Sequence, residues 1–477
     1  MKTITDLTPT PENQEIIYNS LDTMQTMALK EIFDGGLLPE WSKPGYQYSE
    51  LMLGPIMTMM RRGVQIDVAR RDTLVAALED RVAKVQANFD YICEQLWGTS
   101  FNHNSTPQLI FLFYTLLAIP EQTKSKKGEV KVGTDREILE RIARDYPRGS
   151  PFANHILRIR DIEKQIEFLS KKLSPTNRFH ASFNIAGTET FRLSSSEHPF
   201  RIGSNLQNIP KEARTCFVAD PGYVLFYSDQ QGAEARIVAY LSGDENYIAA
   251  VEGGDSHTMV ASMVFGFPPE RELAEREYYR GYSYRDITKR GAHGSNYYGK
   301  PFTLAQQMKV ETEVATAFQA KYFRRFPGIS DWHSWVSNQL QTKGYLNTPF
   351  GMRRTFWNRR WDDATLREAI AFVPQHCVGV LMNIGIYRIW EHFEGKPGVQ
   401  ILLNLHDAVL GQVRIDKASE LLPQVLECLR FPFPVTDIKG ITREINIPFD
   451  VEIGYNWGKA SDKNPDGLKK WRPDGKA

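Results

Sequence analysis

The sequence predicts an α+β fold in which a few antiparallel strands carry two very helical regions. Three observations predict it. Residues 223–228 (YVLFYS), following Pro221 and Gly222, form a short apolar run bounded by turn-formers, which reads as a buried strand. Residues 401–413 (ILLNL-HD-AVLGQV) are two apolar runs about a polar reversal, which reads as a strand pair. Before and between these segments, apolar residues recur at three- and four-residue intervals, as on amphipathic helices.

Composition sets the frame. A chain of 477 residues exceeds what one hydrophobic core usually organises, so two to four subdomains are expected. With 42% apolar and 24% charged residues it is an ordinary globular chain, and a net charge of +1 does not by itself announce a nucleic-acid partner. Cys93, Cys216, Cys377 and Cys428 lie far apart without C-x-x-C spacing, which argues against structural zinc and against a disulfide scaffold. The longest apolar stretch, 378–390, is too short to span a bilayer and carries Asn383 and Arg388. The start MKTITDLTPTPENQ lacks a signal peptide's basic and apolar regions, so a cytoplasmic protein without a membrane partner is expected.

In chain order, 15–33 reads as a helix and Pro39, Gly45 and Tyr46 as a break. Residues 49–97 read as strongly helical, 124–131 (KSKKGEVK) as a basic loop, and 154–173 as a second long helix carrying Arg158, Arg160, Lys164, Lys171 and Lys172. From 179 to 210 the chain is rich in Ser, Asn, Thr and Gly, which suits extended segments touching a polar partner. Helix then dominates from 233 to 342, a turn-rich piece (NTPFGMRR) follows, and 364–393 is helical again. Residues 445–457 (INIPFDVEIGYNW) read as a last strand.

Two aspartates stand out. Asp229 ends the run 223–228 and precedes a helix with the apolar stripe Ala233, Ile237, Tyr240 and Leu241, ending at Gly243. A carboxylate held there suits a hard divalent cation, although a helix N-cap is the commoner role for a lone Asp in that place. Asp407, with His406, occupies a hairpin tip that lacks Gly and Asn, so the polar groups are wanted there or serve as the turn. Two such carboxylates on neighbouring strands can share a pair of magnesium ions. The third element is 284–298, where Arg285, Lys289, His293 and Tyr297 recur every fourth residue on one slowly turning face. Ser283 and Asp286 form a capping box at its start. The helix N-terminus and two cations suit a phosphate group, and the aromatic end suits a base. Gly291 and Gly294 each cost about 1 kcal/mol relative to Ala inside a helix, which points to close approach of a ligand or to a hinge. The alternative is a solvated basic face over a buried tyrosine.

These segments together resemble the A-family DNA polymerases, over about residue 50 to the C-terminus. SDQQGAEARIVAYLSGD resembles motif A, RDITKRGAHGSNYYG resembles motif B (R-x3-K-x3-F-x3-Y-G), and NLHDAV resembles motif C. The resemblance implies a right-hand architecture of thumb, palm and fingers, with a small antiparallel palm sheet and many helices. It implies Asp229 and Asp407 as metal ligands and, with Lys289, as catalytic residues. It puts Arg285, Lys289, His293, Tyr297 and Glu234 on the nucleotide. FRLSSS with NLQNIP puts Arg192, Gln207 and Asn208 on primer-template DNA, joined by Arg367, Gln375 and His406. Three departures are visible. His293 replaces an aromatic residue, Tyr298 stands between Tyr297 and Gly299, and Ala408 replaces the glutamate of H-D-E.

The implied organisation is 1–50 as the end of a 3′–5′ exonuclease domain, 51–177 as thumb and connecting helices, 178–246 as the first part of the palm, 247–365 as fingers and 366–477 as the second part of the palm. The expected activity is DNA-directed extension of a primer by dNTPs in replication, with two Mg2+ ions (or Mn2+). A Y-x3-D match at Tyr18 and Asp22, without a D-x-E before the thumb, leads to the expectation of no proofreading activity of its own. A separate exonuclease subunit docking near residues 1–50, other replisome proteins and a phage source complete the expectation. The alternatives are a single-subunit RNA polymerase and a catalytically dead DNA-binding scaffold. The TFRLSSS and NLQNIP segments and Glu234 speak against the first. Asp229, Asp407, Arg285 and Lys289 together speak against the second.

Overall fold

The computed structural model describes residues 24–126 and 129–472, so Tyr18 and Asp22 lie outside the described residues. Its centre is a five-stranded antiparallel sheet in the order Val399–Asn404, Ala408–Arg414, Tyr223–Gln230, Phe449–Gly454, Lys469–Lys470. Tyr223–Gln230 is the middle strand, with Val224, Leu225, Phe226 and Ser228 buried, which is why its sequence is nearly continuous in apolar residues rather than alternating. The register sets Asp229 opposite Ala408 on one side and opposite Asp450 on the other.

The helix Asp363–Phe393 is packed in the core beside this sheet, and its length and composition alone would let it cross a membrane. Its apolar window is 83% buried inside the protein, so it is a core helix, longer than the 378–390 stretch alone indicated. The chain leaves the middle strand through Gly232 (φ 62), runs as the helix Ala233–Ser242, and stops at Gly243 (φ 59). A second core then gathers Val238, Tyr247, Val260, Ile287, Leu304, Phe318, Tyr322 and Phe326 between short helices.

Several boundaries move. Lys43–Arg62 is one helix, so Gly45 and Tyr46 do not break it; Pro44 stands in its first turn, where its missing N–H has no partner to lose. Residues 49–97 are not continuous. Gly63 (φ 60) ends that helix, the strand Val64–Ile66 follows, and Val68–Trp97 starts anew with Asp67 accepting from the Arg70 N–H. A side chain at Gly63 would strike His180 and the Phe179 carbonyl, so this interruption is built in. The basic loop is a hairpin of Thr123–Lys126 and Glu129–Val132, and Lys124 is paired with Asp135 and Glu137. The second long helix is Ser150–Leu169, four residues earlier than the periodicity indicated, with Pro151 in its first turn. Its Arg160 donates to the carbonyls of His103 and Thr134, a structural use of one of the helix's cationic residues.

Candidate active site

Asp229 lies inside its strand and caps no helix, since Gly232 takes the cap position. Asp407 sits in the reversal between Val399–Asn404 and Ala408–Arg414, where His406 adopts φ 68 without being Gly. The Leu405 N–H donates to the Ala408 carbonyl (2.8 Å), and the Gln230 N–H donates to the Asp407 carbonyl (3.1 Å), which fastens the tip to the strand end that carries Asp229. A buried amide relay supports the tip from behind. Asn404 Oδ1 accepts from the His406 N–H (3.1 Å) and from Gln207 Nε2 (3.2 Å), while Asn404 Nδ2 donates to Asn383 Oδ1 (3.0 Å). Gln207 also donates to the Leu193 carbonyl (2.9 Å).

The two carboxylates repel each other. Burial first, then the charge of Asp407, pushes Asp229 up to about 7, with Glu452 and Asp450 adding to the negative field. Oxygen donors crowded together against their own charge fit a hard divalent cation, which would relieve both effects. Among the described residues, no three His, Cys, Asp or Glu side chains converge as a metal cluster.

The basic helix is Tyr284–Asn296, two residues shorter than its periodicity indicated. The capping box is present, with Ser283 accepting from the Asp286 N–H and Asp286 from the Ser283 N–H. Tyr297 is the C-cap, and Tyr298 (φ 59) turns the chain away. A cavity of about 370 Å³ brings Asp407, Glu234, Lys289, His293 and Tyr297 together with Gln230, His257 and Asn296; Asp229 borders the adjoining depression of about 780 Å³. Both volumes suit a small-molecule ligand. Lys289 is exposed and forms no ion pair among the described residues. Arg285 is not brought into the cavity lining. Its guanidinium binds both oxygens of Asp255 (3.2 Å each), the cap of the helix Ser256–Phe265.

Glu234 ties two predicted residues together. Its Oε1 accepts from Arg192 Nη2 (2.7 Å), and its Oε2 stands 3.7 Å from His293 Nδ1. The His293 ring meets the Tyr297 ring edge-on at 5.0 Å. The Tyr297 hydroxyl is buried, and no hydrogen bond of acceptable geometry joins it to Glu234, although burial first and that carboxylate's charge second raise its pKa. Arg192 and Gln207 are therefore committed inward, whereas Asn208, Arg367 and His406 are exposed and Gln375 is half-buried. The helix glycines have a packing reason rather than the ligand or hinge expected of them. A Cβ at Gly291 would stand 2.4 Å from Phe318 and one at Gly294 would stand 2.5 Å from Leu304. Sequence reasoning missed Asn404, Asp255 and His257. Only Asp255 left a signal, an Asp three residues before Thr258 at the head of an apolar run.

One carboxylate near the end of the middle strand, a second at the neighbouring hairpin tip, and a cavity lined by Lys289 are an arrangement suited to divalent cations and an anionic ligand. The family model "DNA polymerase family A" matches residues 72–459, and the chain belongs to that family. It is 30% identical over 431 residues to the thermostable DNA polymerase I of Thermus thermophilus, covering 86% of this chain and 47% of that protein. It is 29% identical over 479 residues to DNA polymerase I of Chloroflexus aurantiacus, covering 94% and 47%. The chain thus spans about half the length of the curated relatives it matches. In structure it is similar to the POL domain of Pol1 from M. smegmatis, solved in complex with DNA primer-template and dNTP, with a TM-score of 0.70 at 26% identity over 84% of this chain and 69% of that one. A-family polymerases use divalent metal ions.

Proposed function

We propose that this chain is a DNA-directed DNA polymerase that adds dNTPs to a primer 3′-hydroxyl by nucleotidyl transfer in DNA replication. The observation that carries the reading is the convergence of Asp407, Glu234, Lys289, His293 and Tyr297 on one cavity, with Asp229 lining a second depression at the strand end that the Gln230 N–H fastens to Asp407. Asp229 and Asp407 would hold Mg2+ ions, with Mn2+ as a substitute. Bound there, the ions supply charge neutralisation for the attacking oxygen and for the leaving pyrophosphate. The chain's own groups do the positioning. Lys289 offers an ammonium without an ion-pair partner among the described residues to the triphosphate, and Tyr297, the C-cap of the helix Tyr284–Asn296, limits the cavity at its far end. Arg285 reaches a phosphate only by leaving Asp255, an exchange of one anion for another.

Within this reading, 51–177 act as thumb, 178–246 and 366–477 as palm, and 247–365 as fingers. The DNA contacts are assigned to Arg192, Gln207, Asn208, Arg367, Gln375 and His406. A 3′–5′ exonuclease subunit near residues 1–50 and other replisome proteins complete the partners of a cytoplasmic enzyme, and co-purification from the native source tests for them. Primer extension with dNTPs, NTPs and Mg2+ tests the activity itself. Extension by dNTPs is expected, with a loss of about three orders of magnitude or more in Asp229→Ala or Asp407→Ala. Extension by NTPs alone, or full activity in either variant, refutes it.

A further inference from the structure

Residues 353–361 read RRTFWNRRW, with four arginines and no acidic residue. They begin with the strand Arg353–Thr355 of a small hairpin and end just before the long helix Asp363–Phe393. Trp357 is 90% exposed and Trp361 is 79% exposed, far beyond what a tryptophan's apolar area favours in water. Neither ring has an aromatic or cationic partner among the described residues. The base of the segment is held firmly. Phe356 is buried and its N–H donates to the Gly344 carbonyl (2.9 Å). Arg353 lies over the Tyr345 ring at 3.9 Å, and Arg354 pairs with Glu189 and Glu368. Arg359 and Arg360 form no ion pair among the described residues, and Arg360 rests against Gly344.

The location is as informative as the composition. Asp363, at the start of the long helix, binds Lys300 Nζ (3.2 Å), and Lys300 lies over the ring of Tyr298 at 4.6 Å. The segment is thereby linked to the end of the basic helix, beside the cavity. Exposed, unpartnered rings interleaved with free guanidinium groups complement a polyanion whose bases are unstacked, because each base offers a face for the ring and each phosphate a charge for the arginine. A duplex hides those faces, so single-stranded DNA is the occupant that uses both features.

We propose that Trp357 and Trp361, with Arg359 and Arg360, form a stacking platform for the single-stranded template that has not yet been copied. The inference rests on the polymerase reading and adds to it a site for the template on the 5′ side of the base being copied. Fluorescence anisotropy of the whole chain with two labelled primer-templates tests it, one with a long single-stranded 5′ template extension and one with almost none. The wild type should bind the extended template more tightly, and Trp357→Ala/Trp361→Ala should lose about tenfold or more in affinity for that template alone. Trp357→Phe/Trp361→Phe should retain most of it, and because all these rings are exposed, thermal melting should be unchanged. Equal affinity of the alanine variant and wild type for the extended template overturns the platform. So does a wild-type self-association that the alanine variant abolishes while DNA binding stays the same, since the rings would then serve a second copy of the chain. Primer extension by the wild type separates the two levels. Its absence removes the polymerase reading, whereas extension without any overhang effect removes the platform alone.

Discussion

Gly291→Ala separates two meanings of a helix glycine, and the structure sets the size of the effect. Alanine gains about 1 kcal/mol of helix propensity over glycine, so a solvent-facing site would be stabilised. At residue 291 the new methyl would stand 2.4 Å from Phe318 Cε1 and 2.7 Å from its Cδ1. That is about 1 Å inside ordinary carbon contact. Phe318 cannot swing away cheaply, since it is fully buried and stacks on Tyr322 at 5.7 Å. Over-packing of this kind costs about 1–3 kcal/mol, so the net loss should be about 1 kcal/mol. A double-mutant cycle isolates the clash, because the propensity gain is common to both arms. In a Phe318→Leu background the same Gly291→Ala change should become neutral or stabilising, a coupling of about 1 kcal/mol or more. Urea denaturation followed by circular dichroism and by intrinsic fluorescence measures it. An equal cost in both backgrounds would refute the packing argument. So would unchanged stability with lost primer extension, which would restore the hinge.

Two further outcomes follow from buried polar groups. His376 is packed against Phe191 and Phe372, and burial pushes its pKa down to about 3. Because the folded value lies below the unfolded one of about 6.5, its contribution is intact above that pH and declines as pH falls towards 3, by about 4–5 kcal/mol at the acid end. His376→Gln should therefore show a shallower loss of stability between those limits in a pH series of denaturant midpoints, and an identical slope would count against the assignment. Asn404→Ala removes the acceptor shared by the His406 N–H and Gln207, so the Asp407 tip should loosen and kcat of primer extension should fall by about tenfold to a hundredfold with little change in KM for dNTP. A change in KM alone would show that the relay does not position the tip.

What the sequence displayed well was local. The capping box at Ser283, the stop at Gly243 and the apolar run before Asp229 each depend on neighbours within a few residues, and each was found where it was read. The site itself was legible because its parts lie on such elements. What stayed hidden depends on partners far along the chain. Gln207 and Asn404 are 197 positions apart, Arg285 and Asp255 are 30 apart, and the reason for Gly291 is a phenylalanine on another helix. Helix starts at Lys43 and Ser150 were misplaced for a different reason, since a proline in a first turn looks like a break unless the turn before it is known.

Ala408 shows how register changes the meaning of a missing residue. Read along the chain, the residue after Asp407 lacks a carboxylate, and the candidate site is poorer in charge for it. Across the sheet, residue 408 is only one of two neighbours of Asp229, and the other is Asp450, with Glu452 opposite Tyr227 one step along the same face. Ala408 is fully buried, so a carboxylate there would be desolvated against Asp229. Asp450 is partly exposed and is balanced by Lys470 Nζ at 3.1 Å, which leaves its charge within reach of Asp229 without a burial penalty of the same size. The negative field around Asp229 is thus supplied from the strand Phe449–Gly454 on one side and from Asp407 on the other. A glutamate at 408 would add a fourth repulsion to a carboxylate already lifted to about 7, and so would oppose the ionised state that a cation needs.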